Sequence, residues 1–530
     1  MKKLFVLVAG LALVGCKTTL PLVGSSTYET VNGTFLNSTA LADAKAKSVK
    51  EKAPEEMMVA YRPGADRHLI ESRKMDEYLQ GVLGKVLAQW PHPLERPIKV
   101  KVTANRAFTA RAETDTIILS MGLIADIETE DELAFVLAHE ASHILLGHQD
   151  TNDYFLAQKV VVEKAANVAI NAAFLADLEH TKTEKGFRIS TKNSEKSQQQ
   201  MVDAYKTGLT INRLSRDVIS SAVSRGQEDE ADLLGLDLMV LAGYSPASYQ
   251  SVLERMGSSQ TFSEEQLQEK KQDFQQFVTL ATSGEIPEGG STWETIGYMA
   301  ANEGTTRLLQ WFSDRHNKPE ARISDLAHYV KREYRKERRR RQSSDALQAL
   351  KSDNELNRYW FASEAFRALD KGFVDKAEAL ARKSLTGSTS RHAYPRFAMY
   401  SVRMAQGNKT KAAQNLDLIE NWEDASIQTF ILASQAYRDL DQLDKADSIL
   451  TRGEQVVGSR TPFHVDHIAL YRKLEDQDKV AAELEGCKGV GTEEIVVQCH
   501  QAAGIAYADE KKDDSTLGSL ADSVTSLIKL

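Results

Sequence analysis

The residues best suited to do chemistry are His139, Glu140 and His143, in the string His139-Glu140-Ala141-Ser142-His143. On a helix, positions four apart lie only about 40° apart around the axis. The two imidazoles would therefore project side by side and grip one metal ion, at the spacing a hydrolytic zinc site needs. Glu140, between them in sequence, can reach a water on that ion and act as general base. The string lies in an apolar, helix-forming run from Leu133 to Gly147, a dry setting in which neutral imidazole binds metal well. Thr129-Glu130-Asp131-Glu132 supplies a capping residue and first-turn acids for the start of that helix.

A catalytic zinc needs a third protein ligand and an open position. His148 is near in sequence, but five residues on it falls about 140° round the axis from His143, so it cannot join the same metal without leaving the helix. A better source is Ser224-Arg-Gly-Gln-Glu-Asp-Glu-Ala-Asp-Leu-Leu-Gly235, which opens a second helical, apolar run ending at Gly243-Tyr244-Ser245-Pro246. Glu228 and Asp232 lie one turn apart there. One can ligate the metal while the other hydrogen-bonds a ligand histidine from behind.

His139-Glu140-x-x-His143, then Glu228-x-x-Ala231-Asp232-x-x-Gly235, then Ala242-Gly243-Tyr244-x-Pro246, resembles metallopeptidase family 48, the HtpX and BepA type. The resemblance covers roughly residues 60 to 340. It implies one Zn2+ per chain held by His139, His143 and Glu228, with Asp232 in support and Glu140 activating water for peptide-bond hydrolysis. His148 matches a histidine often seen after the motif. The segment from Asp314 to Ile323 looks like a further family element. There His316 and Arg322 match, Asn317 replaces the usual proline, and His316 is implied to approach the metal as a catalytic or self-inhibiting group. The stretch around 255–310 reads as an insertion.

The polar balance bounds the partners. The chain has 530 residues and a formal net charge of -9, so nucleic acid is not an expected partner, because phosphate neutralisation needs surplus Lys and Arg. The basic run from Lys331 to Arg341 reads as a solvated helix joining two domains. At the N-terminus, Met1-Lys2-Lys3 and a short apolar core lead to Leu13-Val14-Gly15-Cys16, which resembles a bacterial lipobox with Cys16 as the lipidated residue. Lys17 after Cys16 favours the outer membrane, by resemblance to Gram-negative lipoproteins. Cys487 and Cys499 then remain, and in an oxidising periplasm they are expected to pair.

The elements that must position these residues follow from periodicity. A helix is expected from Asp66 to Trp90, strands at Ile98–Val102 and Thr116–Ser120, a long helix at Tyr154–Leu178, and loop or frayed helix from Thr181 to Gln200. The strand Thr116–Ser120 is the expected place for an extended substrate to add. In the last third, Gly372, Gly407, Asp441 and Glu475 fall at intervals of 35, 34 and 34 residues, with Ala377, Ala412, Ala446 and Val480 in the same phase. The period resembles tetratricopeptide repeats, whose concave surface would receive envelope proteins.

The expected fold is mainly α: an α+β zincin-like peptidase domain with a small edge sheet, followed by an α-helical repeat array. Residues 1–15 are expected as a lipoprotein signal peptide, 16–60 as a lipid-anchored tether, 61–345 as the metallopeptidase and 355–530 as the repeats. The expected function is zinc-dependent endopeptidase action on misfolded or mis-assembled proteins of the envelope. The alternative is a chaperone or assembly factor working through its repeats with little proteolysis.

Overall fold

The helix that carries His139 begins where the sequence places its cap, and the fold is most simply followed from there. The computed structural model describes residues 33–50, 61–149, 178–183, 186–191, 220–260, 319–337, 345–490 and 493–505. It is mainly α, as expected, with a small three-stranded sheet and a two-stranded hairpin among the described residues. In chain order come α1 (Thr39–Lys50), α2 (Arg73–Leu87), β1 (Lys99–Thr103), β2 (Ala110–Glu113), β3 (Thr116–Ser120), α3 (Met121–Asp126) and α4 (Glu130–Leu145). After these lie β4 (Leu178–Thr183), β5 (Gly186–Thr191), α5 (Ser220–Leu241), α6 (Ser248–Gln260), α7 (Pro319–Glu333) and α8 (Asp345–Lys351). The chain divides into two compact units. One comprises Met1–Met58, Met75–Val100 and Ala107–Gln348; the other comprises Val59–Lys74, Lys101–Arg106 and Ala349–Leu530.

In the first unit α4 is buried along nearly its whole length, from Asp131 to Ser142, which is why its sequence is apolar on every side. The strand order is β1-β3-β2, so β3 is central. Its five residues are all buried, and β2 pairs with it antiparallel, Ala110 opposite Leu119 through Glu113 opposite Thr116. This corrects the expectation that Thr116–Ser120 receives substrate: both its edges are taken, and β1 and β2 are the outer strands.

Three further expectations differ from the structure. The helix foreseen from Asp66 starts at Arg73, because Leu69 and Ile70 are extended; the Ile70 N–H donates to the Val102 carbonyl at 2.8 Å and Leu69 bridges Thr103. Part of the stretch foreseen as loop or frayed helix forms the hairpin β4–β5, in which Leu178 pairs with Thr191 and Thr183 with Gly186. Its Thr181, Thr183, Ile189 and Thr191 are β-branched and favour strand. The segment foreseen as a tether is partly ordered. Phe35 is buried, its N–H donates to the Tyr329 hydroxyl at 2.6 Å, and the Leu36 N–H donates to Asp237 at 2.9 Å. The helix foreseen at Tyr154–Leu178, most of the insertion around 255–310, His316 and Cys16 lie outside the described residues.

The second unit is a helical array: α9 (Asn354–Asp370), α10 (Val374–Ser384), α11 (Ala393–Ala405), α12 (Lys409–Asp417), α13 (Ile427–Asp439), α14 (Leu443–Val457), α15 (His464–Lys473), α16 (Gln477–Val490) and α17 (Glu493–Ala503). The four positions at the 34–35-residue period stand at equivalent turns, between α9 and α10, α11 and α12, α13 and α14, and α15 and α16. All four are left-handed, with φ of 75° at Gly372, 72° at Gly407, 59° at Asp441 and 61° at Glu475. The in-phase Ala377, Ala412, Ala446 and Val480 are buried on the second helix of each hairpin, where a small residue allows close approach. Cys487 and Cys499 are joined by a disulfide that ties α16 to α17.

Two predictions follow from these geometries. A non-glycine residue in the left-handed region costs roughly 1–2 kcal/mol. Glu475→Gly is therefore expected to raise, and Gly407→Ala to lower, the stability of the array by about 1 kcal/mol in urea denaturation. A Cβ on Gly407 meets nothing within 4 Å, so sterics elsewhere do not enter. In the first unit Asp237 is 0 % exposed, and burial pushes its carboxyl up to about 6 although Tyr334, Leu36 N–H and Tyr329 all donate to it. That lies above the ~3.9 of an unfolded aspartate. The stability from this carboxyl is complete below about pH 4 and lost as pH rises through about 6. The difference in unfolding free energy between Asp237→Asn and wild type should shift toward the variant by up to about 3 kcal/mol from pH 4 to pH 7. A pH-independent difference would contradict it.

Candidate metal centre

Helix α4 is held at its first turn from three directions. The Thr129 hydroxyl caps it by accepting from the Glu132 N–H at 3.2 Å, and the Glu132 carboxylate accepts from the Glu128 N–H at 2.8 Å. Asp131 accepts from the Ser245 N–H at 2.8 Å, and Glu130 accepts from the Tyr244 hydroxyl at 3.0 Å. The Gly243-Tyr244-Ser245 turn thus ties the far end of α5 to the start of α4. Gly243, with φ of 96°, is the residue that lets the chain make that turn.

Farther along, the two helices nearly touch. A Cβ placed on Gly235 of α5 would lie 2.9 Å from the His139 backbone nitrogen and 3.0 Å from its Cα. Only glycine permits this approach, and the approach brings the side chains one and two turns before it, Asp232 and Glu228, onto the histidines of α4.

The result is a convergence of three donors. The Nε2 atoms of His139 and His143 stand 3.2 Å apart. Glu228 places one carboxylate oxygen 3.5 Å from the first and the other 3.4 Å from the second. One ligand atom from each of the three residues lies within 4.8 Å of the others. Behind His139, its Nδ1 is 2.9 Å from Asp232 Oδ1. Arg322 of α7 then grips Asp232 with two hydrogen bonds, of 2.8 and 2.7 Å, and sets its other terminal nitrogen 3.0 Å from Glu228. Glu140 is buried beside the cluster and accepts from the Ala112 N–H of β2.

The electrostatics call for one cation at the convergence. Burial disfavours a charged His139, yet Asp232 and Glu228 lift it to about 10. Burial and the neighbouring His139 hold His143 down to about 3. Despite burial, His139 and Arg322 hold Glu228 well below the usual carboxylate range, and Arg322 and His139 lower Asp232. Burial pushes Glu140 up to about 7, with His139, Arg322 and the Ala112 N–H restraining it and Glu228 adding to the rise. Two imidazole nitrogens and a carboxylate are the donor set of many catalytic zinc sites, and the residues present fit that ion.

The structure brings His139, His143 and Glu228 together, with Asp232 behind His139 and Glu140 buried beside them. His316 lies outside the described residues. Three contributors escaped the sequence reading. Arg322 was noted only as a match, although its charge offsets both carboxylates. Glu230 and Gln227 sit at the start of the same motif and reach His148, the histidine that did not fit the helical face: Glu230 Oε2 is 3.2 Å from His148 Nε2, and the Gln227 amide donates to its carbonyl at 3.3 Å.

Fold and site together define a mainly helical protein in which two histidines and a glutamate from two helices form a candidate metal site. Residues 73–329 match the model of peptidase family M48, which supports a metallopeptidase. No curated protein matches the chain.

Gly235→Ala is expected to separate α4 from α5 and to weaken metal binding at least ~10-fold, read by chelator competition. Unchanged metal affinity would show that the close approach is dispensable.

Proposed function

We propose that this protein is a zinc-dependent endopeptidase of the bacterial envelope, of the HtpX and BepA type, acting on misfolded or mis-assembled proteins. The observation that carries the reading is the meeting of His139, His143 and Glu228 within 4.8 Å, with Glu140 buried beside them. When bound there, zinc supplies Lewis acidity, lowering the pKa of water and polarising a carbonyl. The protein's own residues do the rest. Glu140 takes the proton of the attacking water on a carboxylate oxygen and returns it to the amide nitrogen of the leaving strand. Burial, which raises its proton affinity, suits that exchange. Asp232 and Arg322 keep His139 aimed. An extended substrate fits alongside β2, the outer strand nearest Glu140, where backbone pairing would position the scissile bond.

The envelope location is supported by Leu13-Val14-Gly15-Cys16, with Cys16 as the lipidated residue and the outer membrane as its destination. It is also supported by the disulfide, which suits an oxidising compartment. The evenly spaced left-handed turns support a tetratricopeptide-like array, which we assign to holding protein substrates or partners.

Glu140→Gln tests the reading. The expected outcome is one zinc per chain retained in metal analysis, with peptide hydrolysis reduced about 10²–10⁴-fold, whereas Glu228→Ala loses the zinc. Full in vivo function of Glu140→Gln would favour a chaperone acting through its repeats instead.

A further inference from the structure

We propose that His148 and Glu230 are positioning residues: together they fix the tautomer and the aim of the metal ligand His143 through a relay that crosses from α4 to α5. The inference rests on the metal-centre reading above and concerns what stands behind that centre.

A histidine that binds a metal through one ring nitrogen ordinarily donates its other N–H to a carboxylate or carbonyl, which sets the tautomer and orients the ring. His139 follows that rule, with Asp232 behind its Nδ1 at 2.9 Å. Among the described residues, His143 has no carboxylate in that place. Its Nδ1 faces the Nδ1 of His148 at 2.9 Å instead. His148 is 4 % exposed, and its Nε2 lies 3.2 Å from Glu230 Oε2.

The proton positions follow from the inventory of a neutral imidazole, which carries one N–H and one lone pair. His143 must present a lone pair at Nε2, the atom that faces His139 and Glu228. Its proton is then on Nδ1 and donates to His148 Nδ1. That nitrogen can accept only if the proton of His148 is on Nε2, which donates to Glu230. Each of the four ring nitrogens has one assigned role, and the carboxylate charge polarises the chain toward the metal face of His143.

The backbone is built for this. Were α4 to continue, His148 would lie on another face. The helix stops at Leu145, the Gly147 N–H closes on the Ile144 carbonyl at 3.1 Å, and Gly147 takes φ of 67°. The left-handed residue turns the chain back so that His148 returns beside His143. The Gln227 amide then holds the His148 carbonyl at 3.3 Å. Two residues of α5, Gln227 and Glu230, thereby fasten one histidine that is not itself a ligand.

The two ligands are supported differently as a consequence. The carboxylate behind His139 is offset by Arg322. The one behind His143 acts at a distance, through an imidazole.

The test compares zinc affinity, by competition with a chromophoric chelator, across the full-length wild type, His148→Ala, His148→Asn and Glu230→Ala. Nitrogen-15 spectra of the histidine rings are recorded on each. An asparagine carbonyl stands near the place of a histidine Nδ1, so His148→Asn keeps an acceptor for His143 but loses the reach to Glu230. Expected are zinc binding weakened at least ~10-fold in His148→Ala and less in His148→Asn and Glu230→Ala. The spectra of the wild type should show an Nδ1-protonated His143, which His148→Ala alters. Should His148→Ala fail to fold, Glu230→Ala, at a partly exposed site, gives the decision. Wild-type affinity in Glu230→Ala together with an unshifted His148 spectrum would overturn the relay, as would wild-type affinity in His148→Ala. A wild type that takes up no zinc would instead overturn the metal-centre reading itself.

Discussion

The centre depends on how closely two helices can approach. A metal site made from one helix has two ligands, and the third must come from a neighbour whose backbone is near enough for a glutamate to reach. Here Gly235 of α5 lies against the backbone of His139, where any Cβ would collide. The helices are clamped at a second point, where the turn after α5 donates to the first-turn acids of α4. With two fixed points along their lengths, the register between the helices is set, and Glu228 and Asp232 fall opposite the histidines. The acids in the first turn of α4 therefore serve twice, as favourable charges at a helix N-terminus and as acceptors for the partner helix.

Bringing two carboxylates and two imidazoles into a buried space is costly unless the charges are balanced. Arg322 supplies one positive charge, hydrogen-bonded to Asp232 and close to Glu228. The rise of His139 to about 10 expresses the demand for a second. His139, His143 and Glu228 would hold a divalent cation there, which would supply that second charge, and Glu140 lies beside them with its proton affinity raised by burial. The same helix, α5, carries Asp237, where Tyr329, Tyr334 and the Leu36 N–H converge. The helix that carries Glu228 is thus held on one face by this polar cluster and on another by a buried hydrogen-bonded acid.

In the second unit the repeated feature is a backbone conformation rather than a residue type. Two of the four turns use glycine and two use Asp441 and Glu475, at the same left-handed geometry. The hairpin packing of small residues such as Ala377, Ala412 and Ala446 outweighs the local strain, which is why the period survives where the glycine does not. The disulfide closes the array by joining its last two described helices.

What this sequence determines by itself is local and periodic. The placement of His139, Glu140 and His143 on one helix, the cap at Thr129 and the 34–35-residue phase of the array all depend on residues a few turns apart, where helical geometry dictates who faces whom. Glu228 and Asp232 were legible as a pair one turn apart, and the family resemblance supplied their division of labour. What only tertiary structure decides is everything that needs a distance between remote segments. Strand order made Thr116–Ser120 a central strand and put Ala110–Glu113 at an edge of the sheet. The return of the chain at Gly147 put the His148 ring against Nδ1 of His143. Arg322 found its carboxylates from a helix some ninety positions away. Side-chain periodicity reports the face a residue shows, and only packing reports what that face meets.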